Sequence, residues 1–297
     1  MNVPLGFQER IPDPLVRAAL AAALAEDLGL AGDITTDAIV PPELAASAVL
    51  ATRSGGVIAG LQVAAEAFRQ LDPKTSFEIL IGEGERAPAD AVVARVSGNA
   101  RALLTGERVA LNFLGRMSGI ATLTRHYVDA IAGCRAHIID TRKTTPGLRA
   151  FEKYAVRAGG GMSHRAGLFD AVLIKDNHIV LAGGVGPAIA AARARAGHMV
   201  KIEVEVDTLA QLSEVLAHRV DAVLLDNMSP AQLKEAVRMV AGRAITEASG
   251  GVTIDTVRAI AESGVDFISV GALTHSAPVL DLGLDFEGPT PLRPTGS

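Results

Sequence analysis

The 297-residue sequence has no tryptophan, a single cysteine, and aromatic residues at only 3% of positions. It also lacks a surplus of positive charge. Its 28 lysines and arginines stand against 33 aspartates and glutamates, a formal net charge of −5. Surfaces that bind nucleic acid need a basic stripe, often with rings that stack on bases, so this composition argues against that class. The lone Cys134 can form neither an internal disulfide nor a thiolate cluster. It fits a reducing cytoplasm and reads as a small buried apolar residue. No run of 18 apolar residues occurs, so no membrane span is expected. The opening MNVPLGFQERIPDP has no basic region followed by an apolar core, so no signal peptide is expected.

What is present is apolar bulk arranged in a rhythm. Hydrophobic residues make up 49% of the chain, enough to bury a core in one large α/β domain or two smaller ones. The first third mixes element types and reads as a small α+β domain. LVRAALAAALAEDL (15–28) has helical spacing, and Asp33 before two threonines suits a cap. SAVLATR (47–53) and VIAGL (57–61) flank Gly55 and Gly56, which predicts a hairpin. QVAAEAFRQL is predicted helical, FEIL (77–80) and AVVARVSG (91–98) as strands, and roughly 100–132 as a long helix.

From residue 136 short apolar segments alternate with helical patterns: HIID, AVLIKDN, KIEVEV, AVLLDN, ITEASGG and FISVGAL. Such alternation predicts parallel strands with crossover helices. The last helix of the series is placed on APVLDLGL (277–284), and the Pro-rich tail GPTPLRPTGS is expected to be irregular. Six strand–helix units are fewer than the usual eight, so an incomplete βα barrel and a doubly wound sheet both remain open.

In either architecture ligands meet the C-terminal strand ends. Those ends carry charge that divides by chemistry. Arg142, Lys143, His164, Arg165 and Lys175 lie on or between the first two strands, with Arg149 close by in sequence. Arginine matches a carboxylate with a two-pronged fork, and lysine offers a point charge. So many cations imply a dianionic small molecule, or one carboxylate-bearing and one phosphorylated substrate. In KIEVEV, Glu203 and Glu205 share one face by period two, and Glu205 is nearer the strand end. Asp226 ends the next strand. Carboxylates on adjacent strand ends suit magnesium, which prefers few carboxylates plus phosphate and water oxygens. An ion pair with Lys175 or Lys201 is the alternative. Ser249–Gly251 and Gly271 expose backbone N–H groups near helix starts, a candidate phosphate cradle. GGVG (183–186) reads as a helix-entry turn, His178 as structural, and His275, which follows Gly271, as a loop histidine with a phosphate contact as the alternative.

The ordered motifs DTRKTTPGLR, GGMSHR, KDNH, EVEVDT, LLDN, EASGG and VGALTHS closely resemble the quinolinate phosphoribosyltransferase family, also called carboxylating nicotinate-nucleotide pyrophosphorylases. EDLGLAGDITT and TGERVALNFLGRMSGIAT add to the resemblance, which covers roughly residues 10–287. It implies an N-terminal α/β sandwich domain (1–115, joined by the C-terminal segment 280–297) and an open βα-barrel catalytic domain (116–279). It implies a cytoplasmic homodimer that converts quinolinate and phosphoribosyl pyrophosphate, with Mg2+, to nicotinate mononucleotide, pyrophosphate and CO2. Arg142, His164, Arg165 and Lys175 match positions that hold the quinolinate carboxylates, and Lys143 one shared with the donor. Glu205 and Asp226 match the acids near the ribose and metal. Ser249, Gly250 and Gly271 match ribose-phosphate contacts, and Arg108 an arginine that reaches the neighbouring subunit's site. Two other readings stay open: a Schiff-base aldolase using Lys175, and a family member with altered ligand specificity.

Overall fold

The computed structural model describes residues 9–287; the first eight residues and the Pro-rich tail lie outside them. The chain divides into two compact units. One holds the described residues up to Leu123, Ala150–Gly159 and the described residues from Ala277 onward; the other holds Thr124–Arg149 and Gly160–Ser276.

In the first unit the strands are β1 (Ala45–Thr52), β2 (Gly56–Val57), β3 (Ser76–Ile79), β4 (Arg86–Ala87) and β5 (Val92–Asn99). The second unit contributes β6 (His137–Ile139), β7 (Val172–Ile174), β8 (Ile202–Val206), β9 (Ala222–Asp226), β10 (Ile245–Ser249) and β11 (Phe267–Ser269). The chain then returns to the first unit as β12 (Leu282–Glu287).

The first unit is built on an antiparallel sheet of order β12-β1-β5-β3. Its core includes Leu20, Leu50, Leu61, Phe68, Leu103 and Leu114, all fully buried. Asp33 caps the short helix Ile34–Ile39, its Oδ1 accepting from the Thr36 N–H at 2.9 Å. The hairpin expected around Gly55 and Gly56 does not form. β1 is taken by β5 and β12, and β2 pairs instead with β4, Gly56 opposite Ala87. The helix expected over 277–284 is also absent. There Leu280, Leu282 and Leu284 are buried while Asp281 and Asp285 are exposed. That is a period of two, and antiparallel pairing with β1 satisfies it.

The boundaries differ from a division at 115/116. The helix Ala100–Ala130 runs through that point, and Ala150–Gly159 joins the first unit. The physical reason is what the helix Arg149–Ala158 buries. Phe151 packs on Phe113 with ring centroids 5.4 Å apart, and buried Glu152 accepts from Arg116 at 2.8 Å.

The second unit is a six-stranded parallel sheet of order β6-β11-β10-β9-β8-β7. From β7 to β11 neighbours follow chain order, and the first strand joins beside the last. A doubly wound sheet reverses its order at a switch point; this one instead closes round like a barrel and stops one pairing short. The fold is α/β, a βα barrel left open between β6 and β7. Ile138, Val204, Leu225 and Ile268 fill its core, each at most 1% exposed. Ser229 and Pro230 start the helix Pro230–Val240 as a capping box with proline in the first turn. Gly183 ends the helix Asp176–Ala182 and Gly184 caps the next, Val185–Arg195, so GGVG is a helix-to-helix turn. Cys134 is half-buried rather than buried. Among the described residues no helix is long and apolar enough to cross a membrane.

One close approach in the first unit is decisive. A Cβ added at Gly119 would stand 1.9 Å from the Pro278 carbonyl oxygen, a backbone atom that moves only with the segment leading into β12. Gly119→Ala is expected to cost about 1–3 kcal/mol or more, read as a lower urea midpoint. A wild-type midpoint would show that the helix and this segment have room between them.

Candidate active site

The C-terminal strand ends of the second unit surround a cavity of about 630 Å³. Arg142 and Lys143 reach it from the loop after β6, His164 and Arg165 from the segment before β7, and Lys175 from the end of β7. Glu205 of β8, Asp226 at the end of β9, Ser249 and Gly250 at the end of β10, and Gly271 after β11 complete the set. Arg108 is not among the lining residues; it is exposed on the helix Ala100–Ala130 of the first unit. Arg149 is also outside the lining. It braces its own loop, Nε donating to Thr144 Oγ1 at 2.9 Å and a terminal nitrogen to the Ala166 carbonyl at 3.2 Å.

Period two sorts the acids of β8 as expected. Ile202, Val204 and Val206 are buried on one face and Glu203 and Glu205 half-buried on the other. The two acids then part company. Glu205 lines the cavity and its carboxylate meets Lys175 Nζ, so the ion-pair alternative is realised at the cavity wall. Glu203 lies outside the lining and accepts from His164 Nε2 at 3.2 Å. Glu247, on β10, stands 3.4 Å from the same nitrogen and is only 4% exposed. Sequence reasoning overlooked Glu247, although a carboxylate two residues before Ser249 on a strand shares its face. It placed Asn227 at the strand end beside Asp226 but gave it no role; its Nδ2 donates to Asp226 Oδ2 at 2.7 Å. His178 is structural as expected: its Nδ1 accepts the Lys175 N–H at 2.9 Å. His275, by contrast, lines the cavity, beside Gly271.

The electrostatics arise from these contacts. Burial, then the neighbouring Arg142 charge, lowers the Arg165 pKa, partly opposed by Glu203. Its Nε is buried without a hydrogen-bond partner among the described residues, a donor suited to an anion. Burial chiefly raises the Glu247 pKa, with His164 opposing. At His164 burial disfavours the charged ring, and the Arg165 N–H donating to Nδ1 at 2.7 Å does the same. Two carboxylates at Nε2 outweigh burial and that single amide dipole, and the pKa is pushed up to about 10. Glu205 and Asp226 each keep one carboxylate oxygen without an internal partner among the described residues. Two hard oxygen donors on adjacent strands fit a magnesium ion that also takes phosphate and water oxygens.

A raised histidine pKa stabilises the fold below its unfolded value of about 6.5. That contribution is lost as pH rises through about 10. NMR titration of the His164 imidazole is therefore expected to give a pKa far above 6.5, and Glu203→Gln to lower it and move the alkaline loss of stability to lower pH. An unshifted imidazole in both proteins would contradict the two-carboxylate contact.

Comparison with known proteins agrees with this arrangement. Residues 33–118 match the family model "Quinolinate phosphoribosyl transferase, N-terminal domain", and residues 120–285 match that of the C-terminal domain. The carboxylating nicotinate-nucleotide pyrophosphorylase of Mycobacterium leprae is 45% identical over 274 residues, covering 91% of this chain and 96% of its own. A mitochondrial decarboxylating quinolinate phosphoribosyltransferase of Nicotiana tabacum is 41% identical over 290 residues, covering 92% of this chain and 82% of its own. The solved structure of the nicotinate-nucleotide pyrophosphorylase from Francisella tularensis superposes with a TM-score of 0.90 at 39% identity, covering 94% of this chain and 98% of that one. Matched along both of its halves, the chain belongs to the quinolinate phosphoribosyl transferase family.

Proposed function

We propose that the chain transfers the phosphoribosyl group of phosphoribosyl pyrophosphate to quinolinate, with decarboxylation, to give nicotinate mononucleotide, pyrophosphate and CO2 in de novo NAD biosynthesis. The observation that carries this reading is one cavity faced by Arg142, Arg165, His164 and Lys175 together with the acids Glu205 and Asp226. Quinolinate brings two adjacent carboxylates. Arg142 and Arg165 supply forks for them and Lys175 a point charge. His164 is held at Nε2 by Glu203 and contributes charge rather than a fork. Lys143 stands beside Gly271, where it serves the donor phosphates along with the backbone at Ser249 and Gly250. Glu205 and Asp226 would hold Mg2+, directly or through water, and the ion supplies charge neutralisation to the pyrophosphate leaving group.

The pyridine nitrogen attacks the anomeric carbon, and the bond to pyrophosphate breaks with its electron pair on the departing oxygen. Glu205 and Asp226 face the positive charge that grows on the ribose, and Lys143 the negative charge that leaves. The new pyridinium nitrogen then stabilises the electron pair left on the ring carbon when CO2 departs, and that carbon takes up a proton. The protein need supply no electron sink. Lys175 is committed to an ion pair with Glu205, which favours a charge-bearing role over the nucleophilic one an aldolase requires. The proposal includes a cytoplasmic location, small-molecule substrates only, and a homodimer in which Arg108 of each subunit serves its neighbour's site.

Two measurements test it. Quinolinate is expected to be turned over far faster than nicotinate, because losing one carboxylate leaves cations unpaired at a cost of about 1–3 kcal/mol, or roughly five- to 150-fold. Equal turnover of the two acids would sink the assignment. For the shared site, Arg108→Ala and Lys143→Ala are each expected to be nearly inactive. Randomly paired co-expressed chains give half mixed dimers, each with one intact site, so activity recovers to roughly a quarter of wild type. Verified mixed dimers without recovery would place Arg108 in its own subunit's site or in none.

A further inference from the structure

Asn227 sits at the junction of two strand ends and takes no part in the proposed reaction. It is a non-glycine residue with a left-handed backbone, φ 53°. Its N–H donates to the Ser249 carbonyl at 2.9 Å, tying the end of β9 to the end of β10. Its side-chain amide has a separate contact at each end. Nδ2 donates to Asp226 Oδ2 at 2.7 Å. On the other side, a Cβ at Gly250 would lie 2.1 Å from Asn227 Oδ1, so the amide lies directly against the Gly250 backbone, itself at φ 90°.

We infer that Asn227 is a positioning residue that fixes the Asp226 carboxylate relative to the Ser249–Gly250 cradle. The inference rests on the role proposed for Asp226. A carboxylate at a strand end rotates about two side-chain bonds, and binding a cationic or metal-loaded ligand through it costs that freedom. The amide braces one carboxylate oxygen and leaves the other to the cavity. The same amide, lying against the Gly250 backbone, couples the acid to the loop proposed to hold phosphate. One residue thereby sets the distance between the group that meets the metal or ribose and the group that meets the phosphate.

The rival explanation is that asparagine is present only because it tolerates a left-handed backbone. Asn227→Gly separates the two, since glycine keeps that conformation and removes the amide. Calorimetry without turnover supplies the readout: phosphoribosyl pyrophosphate titrated with Mg2+ in the absence of quinolinate, and quinolinate titrated alone. Asn227→Gly is expected to weaken donor binding on the order of tenfold, the loss of one hydrogen bond to a charged group, and to leave quinolinate binding within about twofold. Asn227→Ala should show at least the same loss. Wild-type donor affinity in Asn227→Gly with a loss confined to Asn227→Ala would overturn the inference in favour of backbone conformation alone. If the wild-type protein binds neither ligand, the functional reading fails instead. The crystal structure of Asn227→Gly then decides the inference: a displaced Asp226 carboxylate supports it and an unmoved one refutes it.

Discussion

Parallel pairing is the constraint on which the second unit depends. Hydrogen-bonded parallel strands start at one rim and end at the other, so residues far apart in sequence arrive side by side wherever their strands stop. Ser249 lies opposite Asp226 in the β10–β9 register, and Glu205 lies opposite Leu224, two residues short of it. Their placement side by side is not the work of side chains, which only refine it. The backbone ladder sets it, and each strand end then needs only a residue of suitable chemistry. Apolar side chains such as Val204, Val223 and Leu225, none of them exposed, keep the ladder dry beneath the rim.

A protein of net charge −5 must build its cationic field locally, and charges of one sign repel when gathered. The second unit offsets that repulsion with acids paired to individual cations. Glu203 and Glu247 hold His164 from the barrel interior, and Glu205 engages Lys175. Arg142, whose charge depresses the Arg165 pKa, has no ion-pair partner among the described residues. A dianion entering the cavity would relieve that repulsion while satisfying the buried Arg165 Nε. Binding a carboxylate ligand would therefore remove an existing strain as well as make new contacts.

Much of this was legible in the sequence, and the failures share a cause. The six barrel strands, the shared face of Glu203 and Glu205, and the Ser229-Pro230 helix start all rest on local periodicity or local capping, which a sequence displays directly. The hairpin at Gly55 and the helix over 277–284 failed because partners distant in sequence decided them. β5 and β12 claim β1, and β1 in turn converts a leucine-rich segment into a strand. Glu247, and the role of Asn227 at its strand end, were missed for the same reason. Neither is unusual within its own motif, and each becomes informative only once the register places it beside His164 or between Asp226 and Gly250. The unit boundary at Ala150–Gly159 depends likewise on a partner, Arg116, that lies 36 residues from Glu152.

The opening between β6 and β7 links the incomplete barrel to its chemistry. In a closed barrel these strands would pair and the connection between them would lie outside the sheet. Here the chain leaves the second unit for Ala150–Gly159 and returns at Gly160. On returning it makes an isolated parallel bridge, Met162 with Ile139, at the edge that β7 leaves vacant. That bridge sets the course of the next three residues. The Asp140 N–H donates to the Met162 carbonyl at 3.2 Å, and the His164 N–H donates to Asp140 Oδ1 at 2.9 Å. His164 and Arg165 are thereby drawn to the end of β6, beside Arg142, instead of being carried along the outside. A seventh or eighth strand would occupy the place through which these side chains enter. The missing strands and the dense group of cations are thus one feature: leaving the sheet unclosed admits a loop to its interior rim, and that loop carries two of the charges an anionic ligand needs.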